Sequence, residues 1–250
     1  MELKSIKRSL DIIDLLSREP RGMRLSDISS ALGLNMSTTH HILQTLSGYS
    51  YVMQDSETKK YSLGYRFLEI GRRILDSIDI RKIARKYLEE LHEACKEAVR
   101  LSIYENDKVI FIDKIEAPSG VTLATYLGYA ILPHASASGK VLLSAVPDEK
   151  IRNIYQGKTL EKANGKNTIT DLGQLLEELE KVRKQGYAID DEEYYEGIRC
   201  MAAPVRAGGK VVAAISVTGS IFSLKMERIE KELKYLVIKT AESISAELKW

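Results

Sequence analysis

Cysteine is scarce in this sequence, and the two cysteines that it contains are far apart. Cys95 and Cys200 are the only thiols among 250 residues. They form neither a disulfide framework nor a CxxC pair, which is typical of proteins in a reducing compartment. The sequence also lacks an apolar run of the roughly 20 residues that cross a bilayer, and its charged N-terminus is unlike a signal peptide. We therefore expect a cytoplasmic protein with no membrane partner.

One stretch near the N-terminus lacks full charges. The whole chain carries 37 Lys and Arg residues against 35 Asp and Glu residues, a net charge of +2 that neither requires nor excludes a nucleic-acid partner. Yet no Asp, Glu, Lys or Arg occurs between Asp27 and Val52, where Ser, Thr, His and Gln side chains are dense. The local structure predicted for this stretch explains why uncharged hydrogen-bonding groups are collected there.

Three short helices are predicted in this part of the chain. Apolar side chains at helical spacing predict the first over residues 4–18. The second is expected to begin at a Ser26 cap and to end at Gly33, and the third, capped by Asn35, to run over 36–48. The apolar positions of the first helix are Ile6, Leu10, Ile13 and Leu16.

A hairpin follows, predicted with strands at 50–54 and 60–63 around a polar turn. Two helices joined by a tight turn with a glycine are typical of a helix-turn-helix, whose second helix reads base edges in the DNA major groove. Short uncharged groups match those base edges, whereas phosphates need flanking cations. We predict double-stranded operator DNA as the partner and expect these residues to contact it: Arg24, Ser26, Ser37, Thr38, His40, His41, Gln44, Thr45, Lys59 and Lys60.

The charge of this region predicts that one copy binds DNA weakly. Residues 1–80 carry 11 Lys and Arg against 10 Asp and Glu, a net of +1, which is a small electrostatic footprint. A three-helix bundle with a polar face that never touches DNA is the alternative. Self-association would double the number of contacts with DNA. The helix predicted from Tyr65 carries an apolar stripe that we expect to be buried between chains, and the stripe consists of Phe67, Leu68, Gly71, Ile74, Leu75 and Ile78.

The predicted fold class is α+β with more than one domain. Residues 1–64 are assigned to a winged helix-turn-helix, 65–79 to a helical linker that pairs two copies, and 80–250 to a mixed α/β domain. In the last of these we expect strand pairs around Asn106-Asp107 and Gly208-Gly209, an extended segment over 121–133, and helices that start near Ser136, Asp171 and Ser223.

Separated segments of the second domain carry small polar groups. HASASGK precedes an apolar helix, so the amides of Ala137 and Ser138 are expected to be free at a helix N-terminus, which favours an anion. AIDDEEYYEGIRC is expected to bring Asp190 and Cys200 together after a strand. Each of these residues also has a purely structural interpretation. Ser138 can cap a helix, and Asp190 can cap a turn or form an ion pair with a nearby basic side chain. Cys200 can be a small apolar residue of the core.

A third segment, AISVTG, places two hydroxyls on one side of a strand. Ser216 and Thr218 alternate with Val217, and residues two apart point the same way in a strand. Hydroxyls and amides bind a small molecule without catalytic machinery, which suits a sensor.

The sequence resembles the IclR family of transcriptional regulators. The N-terminal resemblance lies in RSLDIIDLLSREPRGMRLSDISSALGLNMSTTHHILQTLSGYSYV followed by KYSLGYRFLEIG, and the C-terminal one in LPHASASGKVLLSAVP, KVRKQGYAIDDEEYYEGIRCMAAPV and AAISVTGS. The resemblance implies a GAF-like effector domain, assembly into a homodimer or homotetramer, and binding of a small organic acid or related metabolite. It also implies an effector pocket made by Leu123, Ile131, Ala137, Ser138, Asp190, Cys200, Ser216 and Thr218.

An enzyme is the alternative class. Ser138 or Cys200 with His134 and Asp190 supplies the residue types of a nucleophile, a base and an orienting group, but no G-x-S-x-G surrounds either serine of HASASGK. Zinc is also conceivable, because His134, Asp190 and Cys200 are ligand types that it accepts, although no close-spaced pair supports it. We therefore expect no catalytic residue, no cofactor and no assigned metal, with zinc in the effector pocket left open.

Overall fold

The computed structural model describes residues 3–118, 125–157 and 159–248. The chain divides into two compact units, Met1–Ser77 and Ile78–Trp250, and each is described by itself.

The first unit is a small helical bundle followed by a hairpin and a further helix. Its elements are α1 Lys4–Ser17, α2 Leu25–Leu32, α3 Met36–Gly48, β1 Val52–Gln54, β2 Tyr61–Leu63 and α4 Arg66–Ser77. The first three helices and the hairpin share one core, which consists of Ile12, Leu16, Ile28, Leu43, Val52 and Tyr61. Of the apolar positions predicted for α1, Leu16 belongs to this core, whereas the side chains of Ile6 and Leu10 are 55% and 56% exposed.

Local signals account for most helix ends in this unit. Asn35 caps α3, since its Oδ1 accepts a hydrogen bond from Thr38 N at 2.9 Å, and Gly33 ends α2 with a positive φ of 62°. The predicted Ser26 cap is wrong. The N-cap of α2 is Arg24, so Ser26 lies inside the first turn, where its hydroxyl donates to Asp27 Oδ1 at 3.1 Å.

The hairpin is shorter than the sequence predicts. Val52 pairs with Leu63 and Gln54 with Tyr61, which leaves residues 50–51 outside the strands. Ser50 has a positive φ of 63°, and this turn conformation ends the extended backbone on that side.

The second unit is built around one antiparallel sheet. The sheet order is β5-β4-β3-β8-β7-β6, and every paired strand is antiparallel. The strands are β3 Ala98–Glu105, β4 Lys108–Ile115, β5 Ala130–Ile131, β6 Ala188–Asp191, β7 Ile198–Ala207 and β8 Lys210–Ser220. The helices are α5 Asp79–Cys95, α6 Ala137–Ser144, α7 Asp148–Tyr155, α8 Leu172–Gln185, α9 Met226–Arg228 and α10 Lys234–Glu247, with a 3-10 turn at Pro133–Ala135 and a π-helical turn at Ile229–Leu233.

Each face of this sheet is covered by helices. One face packs on α5 and α10 through Val99, Leu101, Val217 and their neighbours. The other packs on α6 and α8 through Phe111 and Ala202, among others. Alternation along the strands produces the two faces, because successive side chains point to opposite sides. The predicted α+β class with a helix-turn-helix and a separate α/β domain is confirmed.

Two predictions in this unit need correction or restriction, and helix α7 has no counterpart among the predicted elements. The extended segment over 121–133 forms a strand only at Ala130–Ile131, and part of it lies outside the described residues. Ile78, assigned to the stripe of the linker helix, instead caps α5 and packs on the core of the second unit. None of the helices in the described ranges is long and apolar enough to cross a membrane.

Candidate functional site

Helix α3 presents an uncharged polar face to solvent. Ser37, His40, His41, Gln44 and Thr45 are exposed and Thr38 is half-buried. Three hydroxyls of the helix donate to groups of the protein itself, and that of Ser37 donates to Asn35 Oδ1 at 3.2 Å. Thr45 Oγ1 donates to His41 O at 2.9 Å, so its lone pairs remain as acceptors, whereas Thr39 is fully buried and donates to Asn35 O. The face therefore offers a mixture of donors and acceptors at close range.

The predicted flanking residues are also accessible. Arg24 and Ser26 are exposed at the start of α2. At the tip of the hairpin, Lys59 is exposed and Lys60 is half-buried. The tip is held in shape by Asp55, whose Oδ1 accepts from both the amide and the hydroxyl of Thr58 at 2.7 Å.

The second unit contains a pocket between its sheet and α6. About 470 Å³ of space at this pocket, including solvent at its open side, is not occupied by protein atoms. Seven of the eight residues predicted for the effector pocket line it, and Leu123, the eighth, lies outside the described residues. The seven are Ile131, Ala137, Ser138, Asp190, Cys200, Ser216 and Thr218.

One wall of the pocket is the N-terminus of α6. Ser136 caps this helix by accepting from Gly139 N at 3.1 Å, so Ser138 is not the cap. Ala137 and Ser138 are the first two helical residues, and their amides have no acceptor among the described residues. Gly139 lets the helix start here, because a Cβ at that position would lie 2.0 Å from Pro133 O. The wall therefore presents the positive end of a helix.

The floor of the pocket is a set of cross-strand neighbours. Asp190 is paired with Cys200 across β6 and β7, and Cys200 with Thr218 across β7 and β8. Asp190 and Cys200 are therefore brought together as predicted, but both lie within neighbouring strands and not in the segment that follows a strand. Thr218 Oγ1 donates to Cys200 Sγ at 3.2 Å. In the next row, Ser216 is paired with Arg100 of β3.

Asp190 combines a structural role with a place in the pocket. It is 1% exposed, and its Oδ1 accepts from Glu193 N at 2.8 Å and Tyr194 N at 3.3 Å, so it caps the turn after β6. Burial, with the nearby Glu193 charge, raises the pKa of Asp190 to about 7. Near neutral pH this carboxyl group can therefore act as donor or acceptor. Burial likewise raises the pKa of the Cys200 thiol, which makes it a poor nucleophile.

A buried lysine fixes the turn after β6 to α6. Lys140 is 1% exposed, and its Nζ lies 2.5 Å from Glu193 Oε1 and 2.5 Å from Ile189 O. Because Glu193 also donates its amide to Asp190, this ion pair ties two walls of the pocket together. Sequence reasoning missed Lys140, because a single lysine at the start of a predicted helix gives no sign that it is buried.

Sequence reasoning also missed several lining residues, which are Arg100, Phe111, Thr125, Tyr129, Ser136, Tyr194, Tyr195 and Ile198. A signal existed for Arg100. Val99 and Leu101 flank it in a predicted strand, and alternation puts Arg100 on the opposite face from both. The sequence does not indicate how β3 and β8 are paired, and it is this pairing that places Arg100 beside Ser216.

The residues considered for an enzyme or a metal site do not assemble. His134 does not line the pocket, and its Nε2 lies 2.8 Å from Glu161 O. Burial lowers the pKa of His134. Within the described ranges, no three His, Cys, Asp or Glu side chains are close enough together to hold a metal ion, so His134, Asp190 and Cys200 form no such cluster.

A winged helix-turn-helix unit followed by an α/β unit with a pocket beside its sheet defines a class of two-domain transcriptional regulators. Family models agree with both halves. The IclR helix-turn-helix domain matches residues 5–56, and the C-terminal domain of the bacterial transcriptional regulator IclR matches residues 72–246. The chain belongs to the IclR family of DNA-binding transcriptional regulators.

Individual relatives support this assignment over most of the chain. The HTH-type transcriptional regulator XynR of Escherichia coli K12 is 34% identical over 220 residues, which cover 86% of each chain. The DNA-binding transcriptional repressor YiaJ of the same organism is 34% identical over 248 residues, 98% of this chain and 88% of that one. The crystal structure of Thermotoga maritima IclR covers 100% of both chains at 30% identity, with a TM-score of 0.79.

Proposed function

We propose that this regulator binds its operator through α3 as a homo-oligomer, and that a small organic acid in the second-unit pocket changes its affinity for the operator. The observation that carries the proposal is that seven residues of the pocket implied by the family resemblance, from β5, α6, β6, β7 and β8, line one cavity. Pockets that hold small molecules combine apolar walls with a few placed polar groups, and this pocket has that composition.

The exposed side of α3 is proposed as the reading surface. Gln44 and Thr45 are exposed on it, and an amide such as that of Gln44 can bind adenine with two hydrogen bonds. Arg24, Lys59 and Lys60 would contact phosphates, which position the protein on DNA without reading sequence. Ser26, Ser37, Thr38, His40 and His41 complete the proposed contact set.

Helix α4 supports self-association. It has no buried residue within its own unit, and Leu68 and Ile74 are 70% and 56% exposed. An apolar face of this kind on a small domain marks an interaction surface. We propose that a second copy of the chain packs on this face of α4. Two paired α3 helices would also double the contacts with DNA, which compensates for the low net charge of a single unit. The assembly would be a dimer or a tetramer.

The effector is proposed to be a small organic acid. The amides of Ala137 and Ser138 favour its carboxylate at the α6 N-terminus. Ser216 and Thr218 offer hydroxyls to its other oxygens, while Asp190 would meet a ligand hydroxyl or a water. Ile131 would be an apolar wall, with Leu123 from the adjoining segment, and Cys200 would close the pocket. Binding would shift the population of conformers that differ in operator affinity.

The remaining parts of the proposal follow from this role. A sensor needs no catalytic residue, and we propose neither an enzymatic activity nor a cofactor or zinc in the pocket. A regulator that binds operator DNA acts where the chromosome is, so a cytoplasmic location is proposed.

Two measurements on the full chain test the proposal. Calorimetry with a panel of small organic acids would identify a ligand, and fluorescence anisotropy with DNA upstream of the neighbouring genes would identify an operator. We expect the ligand to change operator affinity at least threefold. A ligand that binds with no effect on DNA, or an acid panel without any binder, would contradict the sensor role.

A further inference from the structure

Arg100 is a buried cation that has no matched anion among the described residues. Its side chain is 2% exposed, and within the described ranges Nε and Nη1 have no hydrogen-bond partner. Nη2 lies 3.4 Å from Thr125 Oγ1 and 3.8 Å from Glu116 Oε2. Charged side chains are almost never fully buried unless they are paired, so this guanidinium calls for a partner that supplies negative charge.

Glu116 is not that partner. A separation of 3.8 Å is too long for a hydrogen bond. The other oxygen of Glu116 is engaged by Lys114 Nζ at 2.6 Å, and its side chain is 34% exposed. Asp190 is on the other side of the pocket floor, since three strand steps separate β6 from β3 in the sheet. Neither carboxylate accepts a hydrogen bond from Nε or Nη1 of Arg100.

The surroundings of Arg100 direct it to the pocket. It lines the cavity, is paired across the sheet with Ser216, and lies 5.6 Å from the centre of the Phe111 ring. It is the only Lys or Arg among the residues described as lining the cavity. The α6 N-terminus, with its free Ala137 and Ser138 amides, covers the same cavity. A ligand anion would therefore meet a fixed positive charge from the sheet and helix amides from the opposite wall.

We propose that Arg100 is the specificity-determining residue of this pocket and binds the carboxylate of the effector through its planar donor edge. The proposal rests on the proposed function of the pocket as an acid sensor. Two parallel N–H groups of a guanidinium match the two oxygens of a carboxylate. With Arg100 and Asp190 at opposite ends of the pocket floor, the fitting ligand is a monocarboxylic acid whose hydroxyl is remote from its carboxylate.

The experiment compares acids with their neutral amides on the intact protein. The probes are 4-hydroxybutyrate and 4-hydroxybenzoate, each beside its carboxamide, with glycolate as an acid whose hydroxyl is adjacent. The variants are Arg100→Met, Arg100→Lys, and Arg199→Met as control. Arg199 is also a mostly buried arginine of the sheet, but it pairs with Asp191 at 2.6 Å and does not line the pocket.

Calorimetry gives the first readout. We expect the wild type to bind one of the long hydroxy acids more tightly than its amide or glycolate. Arg100→Met should bind that acid about 10- to 100-fold more weakly, since hydrogen bonds to a charged group are lost, with its amide affinity unchanged. Arg100→Lys keeps the charge and is the test if the methionine variant fails to fold. It should still lose about tenfold, because an ammonium lacks the planar fork.

Thermal unfolding without ligand gives the second readout. An unpaired buried charge is destabilising, so Arg100→Met should melt at the wild-type temperature or above it. Arg199→Met breaks an existing ion pair and should melt lower.

The outcomes separate this inference from the sensor proposal. Equal loss of acid and amide binding, together with a melting temperature lowered as in Arg199→Met, would make Arg100 a structural residue and overturn the inference. Unchanged acid binding in both Arg100 variants would overturn it while leaving the sensor role in place. A wild type that binds no acid would overturn the sensor proposal and this inference together.

Discussion

Asp190 lies directly opposite Cys200 across the pairing of β6 with β7. Cys200 in turn faces Thr218 on β8, so one row of three strands carries a carboxyl group, a thiol and a hydroxyl on the same face. The row lines the pocket, and in it Asp190 and Thr218 are only 1% and 7% exposed. Its position explains why Asp190 retains its proton at a higher pH than an exposed aspartate does.

The first prediction concerns the pH dependence of stability. Burial raises the pKa of Asp190 from 3.8 to about 7. The folded state binds this proton more tightly than the unfolded chain does, so protonation of Asp190 stabilises the fold. This contribution to the free energy of unfolding is fully present below about pH 4 and is lost as the pH rises towards 7. About three pKa units correspond to roughly 4 kcal/mol. Asp190→Asn cannot ionise and should escape that loss.

Chemical denaturation at about pH 5 and about pH 8 measures this effect as a difference between variant and wild type. The free energy of unfolding of Asp190→Asn, relative to wild type, should increase between the two conditions. Asp14→Asn, an exposed position of the first unit, is the control and should show no such trend. A constant difference between Asp190→Asn and wild type would contradict the assignment.

The parts of the fold that were predictable are those with local causes. Asn35 caps α3 through the amide three residues later, an interaction within one turn that residue type alone indicates. Asn106 and Asp107 adopt positive φ values of 49° and 59° in the turn between β3 and β4, as short hairpins with these residues do. The shared side of Ser216 and Thr218 likewise follows from strand alternation.

The parts that were missed depend on contacts distant in sequence. Arg100 reaches the pocket only because β3 pairs with β8, more than a hundred residues later, and no local pattern contains that register. Lys140 is buried only because the turn after β6 folds onto α6 and supplies Glu193. Ser26 fails as a cap because α2 begins two residues earlier than predicted, with Arg24 as its N-cap, and helix ends are uncertain by about one or two residues.

The second prediction concerns DNA reading by α3. Gln44→Ala and Thr45→Ala should each cost about 1–3 kcal/mol on the cognate operator and relax its sequence preference. Lys59→Ala should instead weaken binding to all sequences and reduce the salt dependence. Anisotropy titrations at several salt concentrations distinguish the two effects. Gln156→Ala, an exposed amide of the second unit, is the control. If DNA selected by the wild type binds the α3 variants unchanged, another surface reads the operator.

The third prediction concerns assembly through α4. Ile74 is 56% exposed in the single chain, and burying the remaining surface between copies would contribute roughly 1–1.5 kcal/mol for each copy. Ile74→Asp should therefore lower the oligomer mass measured by sedimentation and abolish operator binding. Arg72→Asp places the same residue on another side of α4, where the side chain is 84% exposed, and should keep the wild-type mass. If Ile74→Asp keeps the wild-type oligomer mass, the interface between copies does not include this face of α4.

The fourth prediction concerns the hydroxyl of Ser216 in effector binding. Ser216 is 3% exposed and lines the pocket, where a ligand oxygen is the proposed partner of its hydroxyl. Loss of one neutral hydrogen bond costs about 0.5–1.5 kcal/mol, and a ligand group left buried without a partner raises the cost to about 1–3 kcal/mol. Ser216→Ala should therefore bind the best acid of the panel roughly tenfold more weakly, and Asp190→Ala somewhat more weakly still.

Ser102 provides the matched control for that measurement. It is another buried serine of the same sheet, its Oγ donates to Ala214 O at 3.3 Å, and it does not line the pocket. Ser102→Ala should keep the wild-type effector affinity even though it loses a hydrogen bond within the protein. Operator binding without effector should stay near wild type in Ser216→Ala, because the change lies in the other unit. If Ser216→Ala loses operator binding in the absence of any ligand, its hydroxyl supports the fold; if it binds the acid as well as Ser102→Ala does, the ligand lies elsewhere in the pocket.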